Sequence, residues 1–309
     1  MKNKVILKDI YYQYNWNYRR VLGSKEAYEI KNKIVIGIID SGLDKSNIYI
    51  KDRNIDVTLI MDEGYSDKDK DETGHGTQVF GVIDTLIDNV EYKIYKITNN
   101  NRINALLLVK SIIKAVEDGV NLINISMGIY KNLKIKEDLL ILSGFNKAIQ
   151  YAKKNNVIIV ASSGNNGYNM DDMEDIMHIP SDHEYVISVG SSLKNGDIAP
   201  YTNYGKKLDL VAPTGEWKSS HNNLFLDNMI MTYGQKDKYL SLYSSEYQYS
   251  EGLTFSYGTS LAVPQVVAVI AIILDKYGFK TSKECIKYIM ENGCIPLNSS
   301  QNLYEIRVP

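Results

Sequence analysis

Along the chain, short and continuously apolar runs alternate with longer stretches in which apolar residues recur every three to four positions. Ile34 to Ile39, interrupted only by Gly37, is one such run and ends on Asp40-Ser41-Gly42. Bounded by a polar, glycine-containing turn, it reads as a strand buried on both faces of a parallel sheet. Val90 to Ile97, Val120 to Ile125, Val157 to Val160 and Tyr185 to Val189 repeat the pattern, and Asn104 to Glu117 reads as a helix between two of them. The alternation predicts an α/β fold on a mainly parallel sheet.

Two regions break the rhythm. Before Lys33 the chain is aromatic and polar, with Trp16, Tyr18, Val21 and Leu22 ahead of a short helical stretch predicted around Lys25 to Ile30. Between Pro213 and Tyr257 lies a stretch rich in Ser, Tyr, Asn and Gly, long for an unstructured connection. It is expected to be a surface excursion over residues 215–252, with room for short strands and for substrate contacts. The expected organisation is one domain over residues 1–309, with 1–32 packed onto it.

In parallel sheets, ligands bind outside the carboxyl ends of the strands. Three predicted strands are followed there by polar loops: Asp40-Ser41-Gly42, Ser126-Met127-Gly128 and Ser162-Ser163-Gly164-Asn165. Gathered at one edge, they would form a composite cleft.

Composition narrows the possible partners. Of 309 residues, 44% are hydrophobic and 23% charged, enough apolar material for a large core. Asp and Glu number 37 against 35 Lys and Arg, which gives no electrostatic reason to bind nucleic acid or anionic lipid. The residues from Met1 to Asp9 lack the apolar stretch of a signal peptide, and the longest apolar run, Val266 to Leu274, is too short to cross a bilayer. With Cys285 and Cys294 the only cysteines, a cytoplasmic protein without membrane insertion is expected.

Four residues could carry chemistry. His75 sits between two glycines in Gly74-His75-Gly76-Thr77, which leaves room for a partner to approach its ring. Ser260, in Gly258-Thr259-Ser260-Leu261-Ala262-Val263-Pro264, opens an apolar helix, where free N–H groups and the helix dipole favour negative charge. The same Gly-Thr-Ser sequence would also serve as an ordinary helix cap. Asp40, at the end of a buried strand, needs a partner to stay ionised, and an imidazole N–H would supply one. Asn165 could donate its side-chain amide to an oxyanion, or be a plain turn asparagine.

Taken in the order Asp, His, Ser, these blocks resemble the subtilisin-like serine proteases, the subtilases. The likeness covers roughly Trp16 to Met290 and extends to Asn124-Ile125-Ser126-Met127-Gly128, Tyr201-Thr202-Asn203-Tyr204-Gly205 and Asp209-Leu210-Val211-Ala212-Pro213. It implies a three-layer fold, a central mainly parallel sheet flanked by helices. By the same resemblance Asp40 is the orienting acid, His75 the general base and then acid, Ser260 the nucleophile and Asn165 the oxyanion donor. A peptide would lie as an added strand between Ser126-Met127-Gly128 and Ala161-Ser162-Ser163-Gly164. No cofactor is implied.

The departures from the family pattern are also informative. Gln78 and Gln265 stand where many members have further histidines, which predicts altered packing rather than lost catalysis. Lys45 to Tyr49 offers no carboxylate for a family calcium site, and Asp67-Lys68-Asp69-Lys70-Asp71 lacks the glycine and closing Glu of a calcium loop. The latter reads as a solvated charged loop, and no metal is expected. Asp40 comes too early for an upstream folding domain of the usual size, which favours an intracellular processing enzyme. The richness in Asn, Lys, Ile and Tyr, 24 of them Tyr, resembles the leader peptidases of lantibiotic gene clusters. Its substrate would then be a modified precursor peptide. The alternatives are an intracellular protease of broad specificity and a catalytically silent peptide-binding homologue. Ile129, where a second glycine is common, would narrow an upstream-side pocket. Asp171, Asp172, Glu174 and Asp175 would favour a basic side chain before the cleaved bond.

Overall fold

The structure, a computed structural model, describes residues 14–24, 26–60, 67–98, 102–217, 226–235, 252–279, 281–297 and 303–309. Its first elements are α1 (Trp16–Leu22), β1 (Tyr28–Glu29), β2 (Val35–Asp40), β3 (Asp56–Leu59), α2 (His75–Leu86), β4 (Ile87–Asp88) and β5 (Glu91–Lys96). Next come α3 (Ala105–Glu117), β6 (Leu122–Ile125), β7 (Ile129–Asn132), α4 (Lys136–Lys154), β8 (Ile158–Ser162), β9 (Ile176–Ile179), β10 (Val186–Ser192) and β11 (Leu210–Pro213). The last are β12 (Ile230–Tyr233), β13 (Leu253–Ser256), α5 (Thr259–Tyr277), α6 (Ser282–Asn292), β14 (Cys294–Pro296) and β15 (Tyr304–Ile306).

Nine strands form the central sheet in the order β14-β15-β11-β10-β8-β6-β2-β5-β3. Every pairing is parallel except that of β14 with β15, as the apolar runs predict. After β2 the chain lays down β5 and β3 on one side, then crosses back to place β6 on the other. This reversal makes the carboxyl ends of β2 and β6 the natural place for a ligand crevice.

Helices cover both faces. α2 and α5 pack with one core, and α3 and α4 with the other, which gives the expected three layers. α3 shows how the sequence sets such an element. Asn104 caps it by accepting from the N–H groups of Leu106 and Leu107. Leu108, Ser111, Ile112, Ala115 and Val116 then recur on the buried face at helical spacing. α5 is apolar on all sides because it lies at the centre. It is long and apolar enough to cross a membrane, yet 83% of its apolar window is buried within the fold.

Two expectations need correction. Of the helix expected around Lys25 to Ile30, Lys25 lies outside the described residues and 26–30 are not helical: Gly23, at φ 65°, ends α1, and Tyr28–Glu29 pairs in parallel with Ile87–Asp88. Asp275 holds this segment extended by accepting from the N–H groups of Lys31 and Asn32. In the 215–252 stretch, residues 218–225 and 236–251 lie outside the described residues. β12, in the same stretch, is buried rather than superficial and pairs antiparallel with β13. The described part of the N-terminal segment does pack on the body, with Trp16 Nε1 donating to Met229 O and the Tyr18 hydroxyl to Met231 O.

Candidate active site

Asp40 is the last residue of β2 and is wholly buried. Its Oδ1 lies 2.7 Å from His75 Nδ1 and accepts the Ser41 N–H at 2.7 Å. His75 is the first residue of α2. The close approach depends on Gly76, where a Cβ would stand 2.3 Å from the Gly42 carbonyl oxygen and 3.2 Å from Asp40 Cβ. With Nδ1–H committed to the carboxylate, Nε2 is the nitrogen left to exchange a proton. Burial pushes the His75 pKa down. The charge and hydrogen bond of Asp40, helped by the charge of Asp71, outweigh that effect and raise it above the ordinary value.

Asp71, expected in a solvated loop, is buried and organises the start of α2. Its Oδ1 accepts from Gly74 N–H at 2.9 Å and from the Ser41 hydroxyl at 2.8 Å; Oδ2 accepts from Thr77 N–H at 2.8 Å. A carboxylate at a helix N-terminus satisfies orphan donors and the helix dipole together, so Asp71 fixes the turn that carries His75. Among the described residues, no group of three or more His, Cys, Asp or Glu converges as a metal site. The cation beside this loop is instead the buried Lys96 ammonium, which donates to Asp67 O at 2.9 Å, Lys70 O at 2.7 Å and Glu72 Oε2 at 2.6 Å. Lys96→Met, which strips the charge and strands these oxygens, is expected to lower stability by about 3 kcal/mol. A fall in the urea midpoint with unchanged slope checks this.

Ser260 is the second residue of α5, which packs against α2. Pro264 lies four residues on and has no N–H, so the Ser260 carbonyl loses its helical partner. The Ser126 hydroxyl takes that place, donating to Ser260 O at 2.6 Å, and is itself held by Asn124 Nδ2 at 2.9 Å. Ser126 follows Ile125, whose register partner is Ile39, the neighbour of Asp40. The proline and serine together tie the start of α5 to the strand beside Asp40. Asn165 is anchored to the same turn: its Oδ1 accepts the Thr259 N–H and hydroxyl, each at 2.9 Å. That fixes the amide orientation, with Oδ1 committed to the turn and Nδ2 not used by it.

The other expected residues divide. Ser126 is a tether, Met127 and Ile129 are half-buried against the second core, and Gly128 lies at the edge. Ile129 therefore packs inward. Ala161 is buried in the core at strand β8, so its side chain cannot face a substrate, and Ser162 and Ser163 are nearly as buried; Gly164 is more open. Gln265 is buried, donating to Pro213 O and accepting from Asn17, while the Gln78 carbonyl accepts from Thr232. Asp171, Asp172 and Asp175 are already engaged, by Lys206 N–H, Asn169 and Lys134. Sequence reasoning missed Asp71, Lys96 and Asn203, which donates to Ser163 O at 2.9 Å and accepts from Asn166 N–H at 3.1 Å. Only Asp71 had a readable signal, a carboxylate a few residues ahead of Gly74-His75-Gly76-Thr77.

Similarity to known proteins fits this architecture. A family model described as the subtilase family matches residues 31–301. The epidermin leader peptide-processing serine protease EpiP of Staphylococcus epidermidis is 28% identical over 313 residues, covering 87% of this chain and 66% of its own length. The nisin leader peptide-processing serine protease NisP of Lactococcus lactis subsp. lactis is 26% identical over 331 residues, covering 92% of this chain and 47% of its own. The chain thus spans less than two thirds of either relative. A crystal structure of a lanthipeptide protease aligns with a TM-score of 0.84 at 28% identity, over 96% of this chain and 93% of that one. Because the family model runs through most of the chain and through the sheet that brings these side chains to one edge, the chain belongs to the subtilase family.

Proposed function

We propose that this chain is a serine endopeptidase that removes the leader from a modified lantibiotic precursor peptide inside the cell. The observation that carries the reading is the 2.7 Å contact of Asp40 with His75, at the sheet edge where Ser126 tethers the turn of Ser260. The leader-processing roles named for EpiP and NisP support the substrate class. The free thiols of Cys285 and Cys294 support a reducing compartment.

In this reading the Ser260 hydroxyl attacks the scissile carbonyl while His75 Nε2 takes its proton, and Asp40 holds the proton on Nδ1. The oxyanion is met by the Ser260 N–H, free in the first helical turn, and by Asn165 Nδ2. His75 then protonates the leaving amine, and a water deprotonated by His75 hydrolyses the ester. The peptide runs between the main chains of Ser126-Met127-Gly128 and Ser162-Ser163-Gly164. Asn165→Ala should lower kcat by about 10²–10³-fold with KM little changed, as measured by steady-state kinetics.

Intact-mass analysis of a candidate modified precursor after incubation tests the reading: one cut at the leader boundary is expected. Denatured casein cut as readily as the precursor would favour the broad-specificity alternative.

A further inference from the structure

Two aromatic rings lie between the segments that would hold the peptide. β7 runs antiparallel to β9 with Tyr130 opposite His178, and the two rings are 4.8 Å apart. The outer edge of His178 lies against Gly128, where a Cβ would stand 2.4 Å from Cε1 and 2.5 Å from Nε2. On the other wall, a Cβ on Gly164 would stand 3.3 Å from the Tyr130 hydroxyl. The ring pair therefore reaches from one glycine to the other.

Tyr130 has no free polar atom, because its hydroxyl accepts from Asn203 Nδ2 and donates to Asn166 Oδ1, both at 2.7 Å. His178 does have one. Its Nδ1 lies 2.8 Å from Ser181 Oγ, and the single proton of that hydroxyl goes to the His178 carbonyl at 3.0 Å. Oγ must then accept from Nδ1–H, which leaves Nε2 a bare acceptor without a partner among the described residues. Burial keeps the ring neutral, with its pKa lowered to about 4. The neighbouring buried carboxylate of Asp182 is turned to the backbone N–H of His178, at 2.6 Å. Burial is the one cause of the lowered His178 pKa, with no carboxylate contributing, so a cation set against the His178 ring would bear the cost of desolvation without a counter-charge beside it.

We infer that His178 is a specificity-determining residue of the proposed protease, accepting through Nε2 a hydrogen bond from the amide or carboxylic acid head of the residue before the cleaved bond. The inference rests on the protease reading. Glutamine donates from its NH₂ group. Glutamate, ionised in solution, takes up one proton from solvent as it binds, and that proton is held between its carboxylate and Nε2. Leucine cannot donate to the acceptor; arginine and lysine can, but each brings a charge that finds no counter-charge beside His178. This replaces the basic preference expected from the acidic run.

The test uses tetrapeptidyl coumarin amides that differ only in the residue bearing the coumarin: Gln, Glu, Arg or Leu. Wild type should show kcat/KM at least ~10-fold higher for Gln or Glu than for Arg and Leu, since leucine leaves the acceptor unpaired and arginine leaves its own charge without a counter-charge beside His178. The separate rates for Gln and Glu identify which head is preferred. His178→Ala should flatten that preference while Ser260 still takes a fluorophosphonate label, and His178→Gln should keep part of it. Wild type preferring Arg or Leu, or a labelled His178→Ala that keeps the wild-type ranking, would overturn the assignment while the protease reading stands. Wild type whose Ser260 takes no label would sink both.

Discussion

Ser260→Ala is expected to lower kcat on a cleaved peptide by about 10⁶-fold while leaving the fold in place. The two effects separate because Ser260 serves the structure through its main chain. The 2.6 Å bond from Ser126 ends on the Ser260 carbonyl, which alanine retains, and Pro264 still denies that carbonyl a helical partner. Only the hydroxyl is lost, and with it the acyl-enzyme route. The Asn165 amide and the first-turn N–H groups remain to stabilise direct attack by water, so a residual rate of about 10³-fold over the uncatalysed reaction should persist. Single-turnover kinetics on the peptide substrate, with enzyme in excess, measure the first effect, and urea denaturation measures the second. A variant as fast as wild type would remove Ser260 from the mechanism.

What could be read from the chain follows from how far each signal acts. β2, β6, β8 and β10 were legible because strands buried on both faces are mostly apolar, whereas β5 carries Glu91, Lys93 and Lys96 and is buried only in part. Their carboxyl ends follow from direction alone, so Asp40, Ser126 and Asn165 were correctly assigned to one edge. The helix expected at Lys25 to Ile30 failed because Asp275, about 245 residues away, accepts the backbone N–H groups of Lys31 and Asn32 and holds the chain extended. No local propensity carries that information. The polar scaffold was hidden for the same reason. In sequence, Lys96 is one more lysine at a strand end; its meaning comes from three oxygens that converge on it in space. Asn203 likewise binds Ser163 and Asn166, on a segment some forty residues earlier. His178 has no motif around it, and its role emerges only when β9 is laid against β7.

Asp40→Asn should cost about 10⁴-fold in kcat and move the acid limb of the pH–rate profile down. In the wild type, His75 must be neutral to act as a base. The Asp40 charge holds its pKa above the ordinary value, so the acid limb of kcat/KM should fall above about pH 6.5. Asparagine removes that charge and leaves burial, which acts in the opposite direction, so the limb shifts toward acid. The plateau rate falls for a separate reason. An amide can donate to Nδ1, which favours the tautomer with the proton on Nε2, where it cannot accept from Ser260. The stability effect has its own sign. A folded-state pKa raised above the unfolded one means that the charged His75–Asp40 pair stabilises the protein fully below the unfolded histidine pKa. That contribution disappears as pH rises through the folded value. The difference in unfolding free energy between wild type and Asp40→Asn should therefore shrink from mildly acidic to alkaline pH, while the difference in rate persists on the plateau. Urea midpoints and kcat/KM measured across the same pH series separate the two. An acid limb unmoved by the substitution would show that another group sets the ionisation of the base.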